Sequence, residues 1–310
     1  MGMIRTVTGD IEPSSLGWCQ CHEHIFLADG PSRRINEALY MDDYQASLAE
    51  VLLYKNAGGK SFVDAQPHGC GRMADNLARV SRQTEINIIA CTGFHKTEFF
   101  EDTDWLNGQT EDSLTGVYIR EVEQGMDEAP ASRAGIIKCA AIPGEHNANS
   151  TYAKMFSAAA NAAAATGAPV MVHFDSGADA LSVIKFFEEN GVWPERLLLC
   201  HLDRARYDFE YHREVASSGA YLEYDTIRRE KYHSDEDEAA LIEYMAGAGY
   251  ADSLLLGLDT TNQRLKSYGA EFGLDYILTG FRFVLEERIG KDIADRIITD
   301  NPAKALSIKD

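Results

Sequence analysis

Short apolar runs rich in β-branched residues recur along the whole chain and alternate with longer stretches of helical periodicity. A run that is apolar on both faces predicts a buried strand of a parallel sheet, and the amphipathic stretches between such runs predict covering helices. The eight predicted strands are 16–21, 60–65, 86–92, 134–140, 169–174, 197–202, 220–225 and 253–259. The clearest helical stretches are 42–57, 115–125, 152–165, 181–190 and 235–248.

Eight strand and helix units predict an α/β fold, a single (β/α)8 barrel that takes up residues 1–310 as one domain. A doubly wound open sheet is the alternative. It would normally carry a glycine-rich loop after its first strand, where this chain has Cys21-His22-Glu23-His24 instead. No linker rich in Pro, Gly or Ser divides the chain, and the non-periodic segments 27–40 and 97–111 are predicted loops over the barrel mouth.

Composition and charge narrow the classes of partner. With 45% hydrophobic and 25% charged residues, the chain of 310 residues has an ordinary globular composition. Its 29 basic and 49 acidic residues give a formal net charge of −20, which disfavours nucleic acid and anionic membrane surfaces as partners. No segment approaches the roughly 18 apolar residues that cross a bilayer, so a cytoplasmic location is expected. A small-molecule substrate is the expected partner, with a homodimer as the default assembly.

The six cysteines are too sparse for a disulfide framework in a chain of this length. Most of them lie inside apolar runs, which predicts buried, reduced thiols. The pair Cys19-x-Cys21 could in principle bind a metal, but no second thiol pair follows it. A thiolate metal site is therefore the weaker interpretation.

Six residues with metal-ligand chemistry fall at or just past the carboxyl ends of separate apolar runs. In a barrel of parallel strands these ends converge on one mouth, where catalytic residues of such barrels lie. Imidazole, carboxylate and modified lysine side chains together suit divalent cations. The predicted ligands of a two-metal site are His22, His24, Lys138, His173, His201 and Asp259.

Each of these residues also has a simpler interpretation when it is taken alone. His22 and His24 project to the same side of an extended strand, yet a His-x-His pair also occurs on surfaces by chance. His173 and His201 could be hydrogen-bonded core histidines. Asp259 could cap a following helix; as a ligand, it would also accept the proton that the attacking water loses.

Lys138 is the least expected member of the set, because burying an unpaired ammonium group is costly. One interpretation is an ion pair with a carboxylate. The other is a lysine that is neutral, as burial favours, and that has captured carbon dioxide. The resulting carbamate, N6-carboxylysine, would bridge both metals through its two oxygens.

The chain resembles the phosphotriesterase-like family of the amidohydrolase superfamily, and the resemblance runs nearly from end to end. It rests on Thr8-Gly9-Asp10, Cys21-His22-Glu23-His24, Ala90-Cys91-Thr92-Gly93-Phe94 and Asp300-Asn301-Pro302-Ala303. Membership would imply a (β/α)8 barrel with two metals, zinc in the first place and manganese or cobalt as alternatives. It would imply that His22, His24 and Asp259 hold the more buried metal and that His173 and His201 hold the more exposed one. Carboxylated Lys138 and a hydroxide would bridge the pair.

The family includes phosphotriesterases, carboxylesterases and several kinds of lactonase. Residues 269–277 most resemble the branch that acts on sugar lactones, so the resemblance implies opening of a polar lactone by a metal-bridging hydroxide. A carboxylesterase or phosphotriesterase is the alternative among hydrolases. A metal-containing binding protein without turnover is the alternative from another class.

Substrate contacts are less well indicated than the metal ligands. Lys231-Tyr232 matches a pair with which relatives grip a phosphate, but Asn262 and Leu265 stand where an Arg and a Tyr would complete the grip, so a phosphate on the substrate is left open. One of four nearby cations could compensate, although each is more simply an exposed loop or helix charge: Arg228, Arg229, Arg264 and Lys266. Phe94 and His95 are predicted to line the site, with a role in core or loop packing as the alternative for each. Four further histidines are predicted at the surface or in loops: His68, His146, His212 and His233.

Overall fold

A computed structural model describes residues 2–147 and 150–308 of the chain. An antiparallel hairpin comes first, formed by β1 (Ile4–Thr6) and β2 (Gly9–Ile11). Eight strands then pair in parallel and in chain order. They are β3 (Cys19–Glu23), β4 (Ser61–Asp64), β5 (Asn87–Gly93), β6 (Ile136–Ala141), β7 (Val170–Phe174), β8 (Leu197–Cys200), β9 (Tyr221–Tyr224) and β10 (Leu254–Leu256).

These eight strands confirm the predicted barrel, and each lies within or beside its apolar run. The two ends of the sheet, β10 and β3, meet just beyond β10. There the N–H of Asp259 donates to the carbonyl oxygen of His22 at 2.9 Å. Gly257 makes this approach possible, because a Cβ atom there would lie 2.9 Å from the same His22 oxygen. The sheet is thereby nearly closed into a barrel.

Helices cover the outside of the sheet, and the five predicted helical stretches are confirmed with small shifts at their ends. The helices are α1 (Pro31–Ile35), α2 (Tyr44–Asn56), α3 (Ala74–Thr84), α4 (Thr103–Gly108), α5 (Glu111–Glu123), α6 (Thr151–Thr166), α7 (Ala180–Glu189), α8 (Leu202–Ala205), α9 (Phe209–Ala216), α10 (Asp235–Gly247), α11 (Arg282–Ile289), α12 (Lys291–Ile298) and α13 (Asp300–Ala305). Several of these helices begin at capping side chains, which accept hydrogen bonds from first-turn N–H groups. Five such caps are Asp43, Thr110, Ser150, Asp179 and Ser234.

Buried side chains form two layers, as a barrel surrounded by helices requires. One layer fills the barrel interior and includes Val63, Ile89 and Met171, while the larger layer lies between the strands and the helices. All six cysteines are buried and free, which confirms the prediction of reduced thiols. No helix of the described part is long and apolar enough to cross a membrane.

The two segments predicted as mouth loops contain short helices of their own. Segment 27–40 includes α1, and segment 97–111 includes a 3-10 turn (Thr97–Phe99) and α4. Both segments reach the same cavity, because Leu27, Leu39 and Phe99 line it. The run 197–202 is likewise shorter as a strand than predicted, since β8 ends at Cys200 and α8 begins at Leu202.

Candidate metal centre

The structure brings all six predicted ligands to one cavity of about 130 Å³ at the carboxyl ends of the strands. The ring centres of His22 and His201 are 4.7 Å apart, and those of His173 and His201 are 4.5 Å apart. These residues come from strands that are far apart in the chain. The six cavity-lining ligands are His22 of β3, His24 just after β3, Lys138 of β6, His173 of β7, His201 after β8 and Asp259 after β10.

His22, His24 and Asp259 form one ligand group, with one donor atom from each lying within 4.8 Å of the others. Asp259 Oδ1 lies 3.5 Å from His24 Nε2 and 4.0 Å from His22 Nε2. Two imidazole nitrogens and a carboxylate oxygen are a donor set that suits zinc and related divalent ions. These three side chains could therefore hold one such cation.

His173 and His201 form a second ligand group beside the first. His173 Nδ1 is buried and has no hydrogen-bond partner within the described ranges, and an orphaned nitrogen of this kind fits a ligand atom. Burial, chiefly, lowers the pKa of His173 to about 4 and holds the pKa values of His22 and His201 well below their ordinary range. The imidazoles are therefore neutral at pH 7, which is the form that binds metals.

Lys138 is fully buried between the two groups. Its Nζ donates to the carbonyl oxygen of Ala65 at 2.8 Å and lies 3.3 Å from His22 Nε2. Among the residues that the structure describes, no carboxylate pairs with it, so the ion-pair interpretation has no support here. A buried lysine without a counter-charge fits the neutral or carboxylated form better than a bare ammonium group.

Two carboxylates behind the ligands orient the imidazole rings. His22 Nδ1 donates to Glu223 Oε1 at 2.8 Å, and His201 Nδ1 donates to Asp225 Oδ1 at 2.6 Å. Each bond leaves Nε2 of the ring for another partner, as is usual for histidines that bind metals. Neither acid was predicted from the sequence. The alternation in 220–225 could have indicated them, because it places residues 223 and 225 on the same side of the strand.

Two arginines hold the Asp259 carboxylate from the other side. Arg204 Nη2 and Arg229 Nη2 lie 3.0 and 2.9 Å from Asp259 Oδ2. Burial alone would raise the pKa of Asp259, but Arg229 and Arg204 hold it well below its ordinary value. The sequence analysis missed Arg204, which lines the cavity. It also treated Arg229 and Arg264 as exposed charges, whereas Arg264 is buried and donates to the carbonyl oxygen of Leu258 at 2.9 Å.

Phe94 does not line the cavity, so its prediction as a substrate contact is corrected. Its side chain is fully buried and packs against Phe156, with 5.4 Å between ring centres. Phe94 and His95 follow the end of β5 at Gly93, and here His95 lines the cavity. The His95 ring centre lies 4.7 Å from that of His173.

The other predicted substrate contacts lie outside the cavity lining. Lys231 and Tyr232 are exposed, and Lys231 Nζ lies 4.7 Å from the centre of the Tyr232 ring. Arg228 is partly buried and lies over the rings of Phe272 and Tyr276. These three residues follow β9 in the chain and do not contact the cavity with the ligands. Their role in substrate binding stays a prediction.

Two of the histidines predicted at the surface or in loops are buried. His146 lies in a 3-10 turn (Glu145–Asn147) between β6 and α6, as the loop prediction allows, and exposes 4% of its surface. His212 lies in α9, is fully buried and is hydrogen-bonded through Nδ1 to the Tyr224 hydroxyl at 2.8 Å, so its prediction was wrong. It was predicted at the surface or in a loop because it does not lie at the end of an apolar run.

Comparisons with known proteins agree with this fold. A profile described as the phosphotriesterase family matches residues 2–306. A phospho-furanose lactonase of Mycoplasmopsis agalactiae is 28% identical, over 98% of this chain and 91% of that protein. An N-acetyltaurine hydrolase of Xenopus tropicalis is 28% identical over 99% of both chains. The crystal structure of a lactonase from Listeria monocytogenes superimposes with a TM-score of 0.92 at 28% identity, covering 99% of this chain and 100% of that one.

Proposed function

We propose that this chain, which belongs to the phosphotriesterase family, is a metal-dependent hydrolase that opens a polar lactone ring. A sugar lactone, with or without a phosphate, is the substrate class we favour, because relatives of matching length are named as lactonases. The observation that carries the proposal is the convergence of six ligand side chains on one cavity. Since these ligands come from β3 through the end of β10, we also propose that residues 1–310 act as one catalytic domain.

The donor set fits two divalent cations. His22, His24 and Asp259 would hold one, and His173 and His201 would hold the other. Lys138, as N6-carboxylysine, would be shared by both. Zinc suits these nitrogen and oxygen donors best, and manganese or cobalt would be accepted as well. When bound, such cations make water acidic enough to supply hydroxide near neutral pH, and they polarise a carbonyl.

The protein's own residues would prepare the site for this chemistry. Glu223 and Asp225 fix the tautomers of His22 and His201, because each carboxylate accepts the Nδ1 proton. Asp259 remains our candidate for accepting a proton from the attacking water, since its carboxylate is kept ionised by its neighbours.

The cavity walls would exclude bulk water from the reacting groups. Leu27, Leu39 and Phe99 supply apolar surface from the two mouth segments, and His95 and Lys96 supply polar surface beside His173. Where such walls exclude water, electrostatic interactions within the site become stronger.

The test is turnover of a defined substrate panel by protein reconstituted with zinc or manganese. The panel contains γ- and δ-lactones with and without a terminal phosphate, an aryl ester, a phosphotriester and an N-acyl amide. We expect a polar lactone to have the highest kcat/KM and its turnover to follow metal content. Preference for the ester or the triester would favour the alternatives among hydrolases. Saturable binding of a panel member without turnover would indicate a binding protein.

Lys138→Ala tests the shared ligand directly. We expect metal content and rate to fall together, because the variant removes a donor common to both groups, and a short carboxylic acid should restore part of each. Lys154→Ala is the matched control: Lys154 is also held by backbone carbonyls, at 2.8 Å from that of Gln109, but lies away from the cavity lining. Full metal content and rate in Lys138→Ala would exclude the bridging role.

A further inference from the structure

We propose that Arg204 is a positioning residue that couples the two ligand groups, holding Asp259 directly and His201 through Asp225. The inference rests on the proposed function, because it concerns how the same site keeps two cations. No substrate contact is assigned to Arg204.

The two carboxylate oxygens of Asp259 face different partners. Oδ1 faces the imidazoles, at 3.5 Å from His24 Nε2. Oδ2 faces the guanidinium groups, at 3.0 Å from Arg204 and 2.9 Å from Arg229. The arginines thereby leave Oδ1 as the oxygen presented to a cation, and they hold the carboxylate in that orientation.

Arg204 makes a second contact that Arg229 does not make. Its Nη1 donates to Asp225 Oδ1 at 3.3 Å, and the same oxygen accepts the Nδ1 proton of His201 at 2.6 Å. Asp225 Oδ2 also lies 3.7 Å from His22 Nδ1. One guanidinium group therefore connects Asp259, of the first ligand group, with His201, of the second.

Among the residues that the structure describes, Asp259 is the one partner of the Arg229 side chain, which makes Arg229 an internal comparison. Besides Oδ2, it donates to the backbone carbonyl oxygen of Asp259. That backbone has a φ of 48°, in the left-handed region that residues other than glycine rarely adopt. The hydrogen bond from Arg229 holds this backbone conformation. The bond from the Asp259 N–H to the carbonyl oxygen of His22 in β3, at 2.9 Å, holds it as well. Loss of Arg229 should thus disturb only the first ligand group.

Burial makes the Arg204 contacts effective. Asp225 is fully buried, and the side chains of Arg204 and Asp259 expose only 13% and 14% of their surface. Water therefore screens these ion pairs poorly, and removal of the Arg204 guanidinium group takes one buried charge partner from each of two carboxylates. The planar fork of an arginine reaches two carboxylates at once, which a lysine ammonium group does not reproduce.

The experiment compares Arg204→Met, Arg229→Met and Arg204→Lys with the intact protein. Each is titrated with Zn²⁺ against a chromogenic chelator to obtain the affinities of both equivalents, and the melting temperature of each metal-free variant is measured. Arg206→Met is the matched control, because Arg206 lies in the same short segment but is half-exposed and pairs only with Asp208 among the described acidic groups.

We expect Arg204→Met to weaken both equivalents by about tenfold or more, the effect typical of losing an outer partner of metal ligands. Arg229→Met should weaken one equivalent, and Arg206→Met neither. Arg204→Lys keeps the charge, so it should fold even if Arg204→Met does not, and it should still weaken both. Unchanged affinities in Arg204→Lys and Arg204→Met, or loss of one equivalent alone, would overturn the inference. A wild-type protein that takes up no zinc would overturn the proposed function, and this inference with it.

Discussion

Glu223→Ala should weaken metal binding at His22 without touching a ligand. Glu223 is fully buried, and its Oε1 accepts the Nδ1 proton of His22 at 2.8 Å. This bond fixes the tautomer that leaves Nε2 facing the cavity. Without it, the ring can protonate either nitrogen and rotate more freely, so the free protein spends less time in the binding arrangement.

The expected magnitude follows from the single bond that is removed. Loss of one outer partner of a ligating histidine lowers metal affinity by about 10- to 100-fold, which corresponds to about 1.4–2.7 kcal/mol. Glu223→Gln should lose less, because its amide oxygen can still accept the Nδ1 proton while the volume of the side chain is kept. The order of affinities is therefore wild type, then Glu223→Gln, then Glu223→Ala.

Isothermal titration of the metal-free proteins with Zn²⁺ measures this order, and circular dichroism checks the fold. Glu50→Gln is the control for loss of a buried carboxylate. Glu50 is also fully buried, but it accepts from the backbone N–H groups of Ser267 and Leu274 at 2.8 Å and lies outside the cavity lining. It should lose stability and keep its zinc affinity. A folded Glu223→Ala protein with wild-type affinity for both equivalents would refute the reasoning.

Three further predictions concern the barrel that carries the site. Gly257→Ala should lower both the melting temperature and the zinc content, because its Cβ would lie 2.9 Å from the His22 carbonyl oxygen; wild-type values would contradict this. Phe94→Ala should cost about 3–5 kcal/mol in urea unfolding with little change in KM, the reverse of what a substrate contact would show. Burial would raise the pKa of Glu121, but Arg72 holds it well below the ordinary range. The ion pair therefore stabilises the fold above the unfolded pKa of about 4.3 and loses this effect as pH falls toward the folded value. The stability advantage of wild type over Glu121→Gln should shrink below about pH 4 in thermal melts, and a constant difference would exclude it.

The strands were predictable because a parallel barrel buries both of their faces. That requirement leaves continuous apolar runs, which are visible without any tertiary information. The short helices were not predictable in the same way. In α8, four residues turn directly after β8, which is too short a stretch to show a helical period of its own. Elements of this kind are decided by the surfaces they pack against, not by their own periodicity.

The metal ligands were predictable for a related reason. A strand end is a position in the chain, and in a barrel all strand ends share one mouth, so His173 and His201 could be placed together from sequence alone. The direction of a side chain is harder to place. Phe94 and His95 lie at the same strand end, yet one packs in the core and the other lines the cavity, and the turn at Gly93, with a φ of 90°, decides between them.

The partners of the supporting charges were the part that the sequence could not reveal: alternation places Glu223 and Asp225 on one side of the run 220–225, but it does not say which histidine each acid meets. Glu223 meets His22 across 201 positions of chain, and Arg204 meets Asp259 across 55. The sequence separation of the two residues in each pair does not predict their contact. The pairing depends on which way the side chains of adjacent strands face once the barrel has closed. A ligand set can therefore be inferred from strand ends, whereas the groups that orient it require the closed sheet. For this reason variants of Arg204 and Glu223, rather than of the ligands, test whether the folded geometry itself supports metal binding.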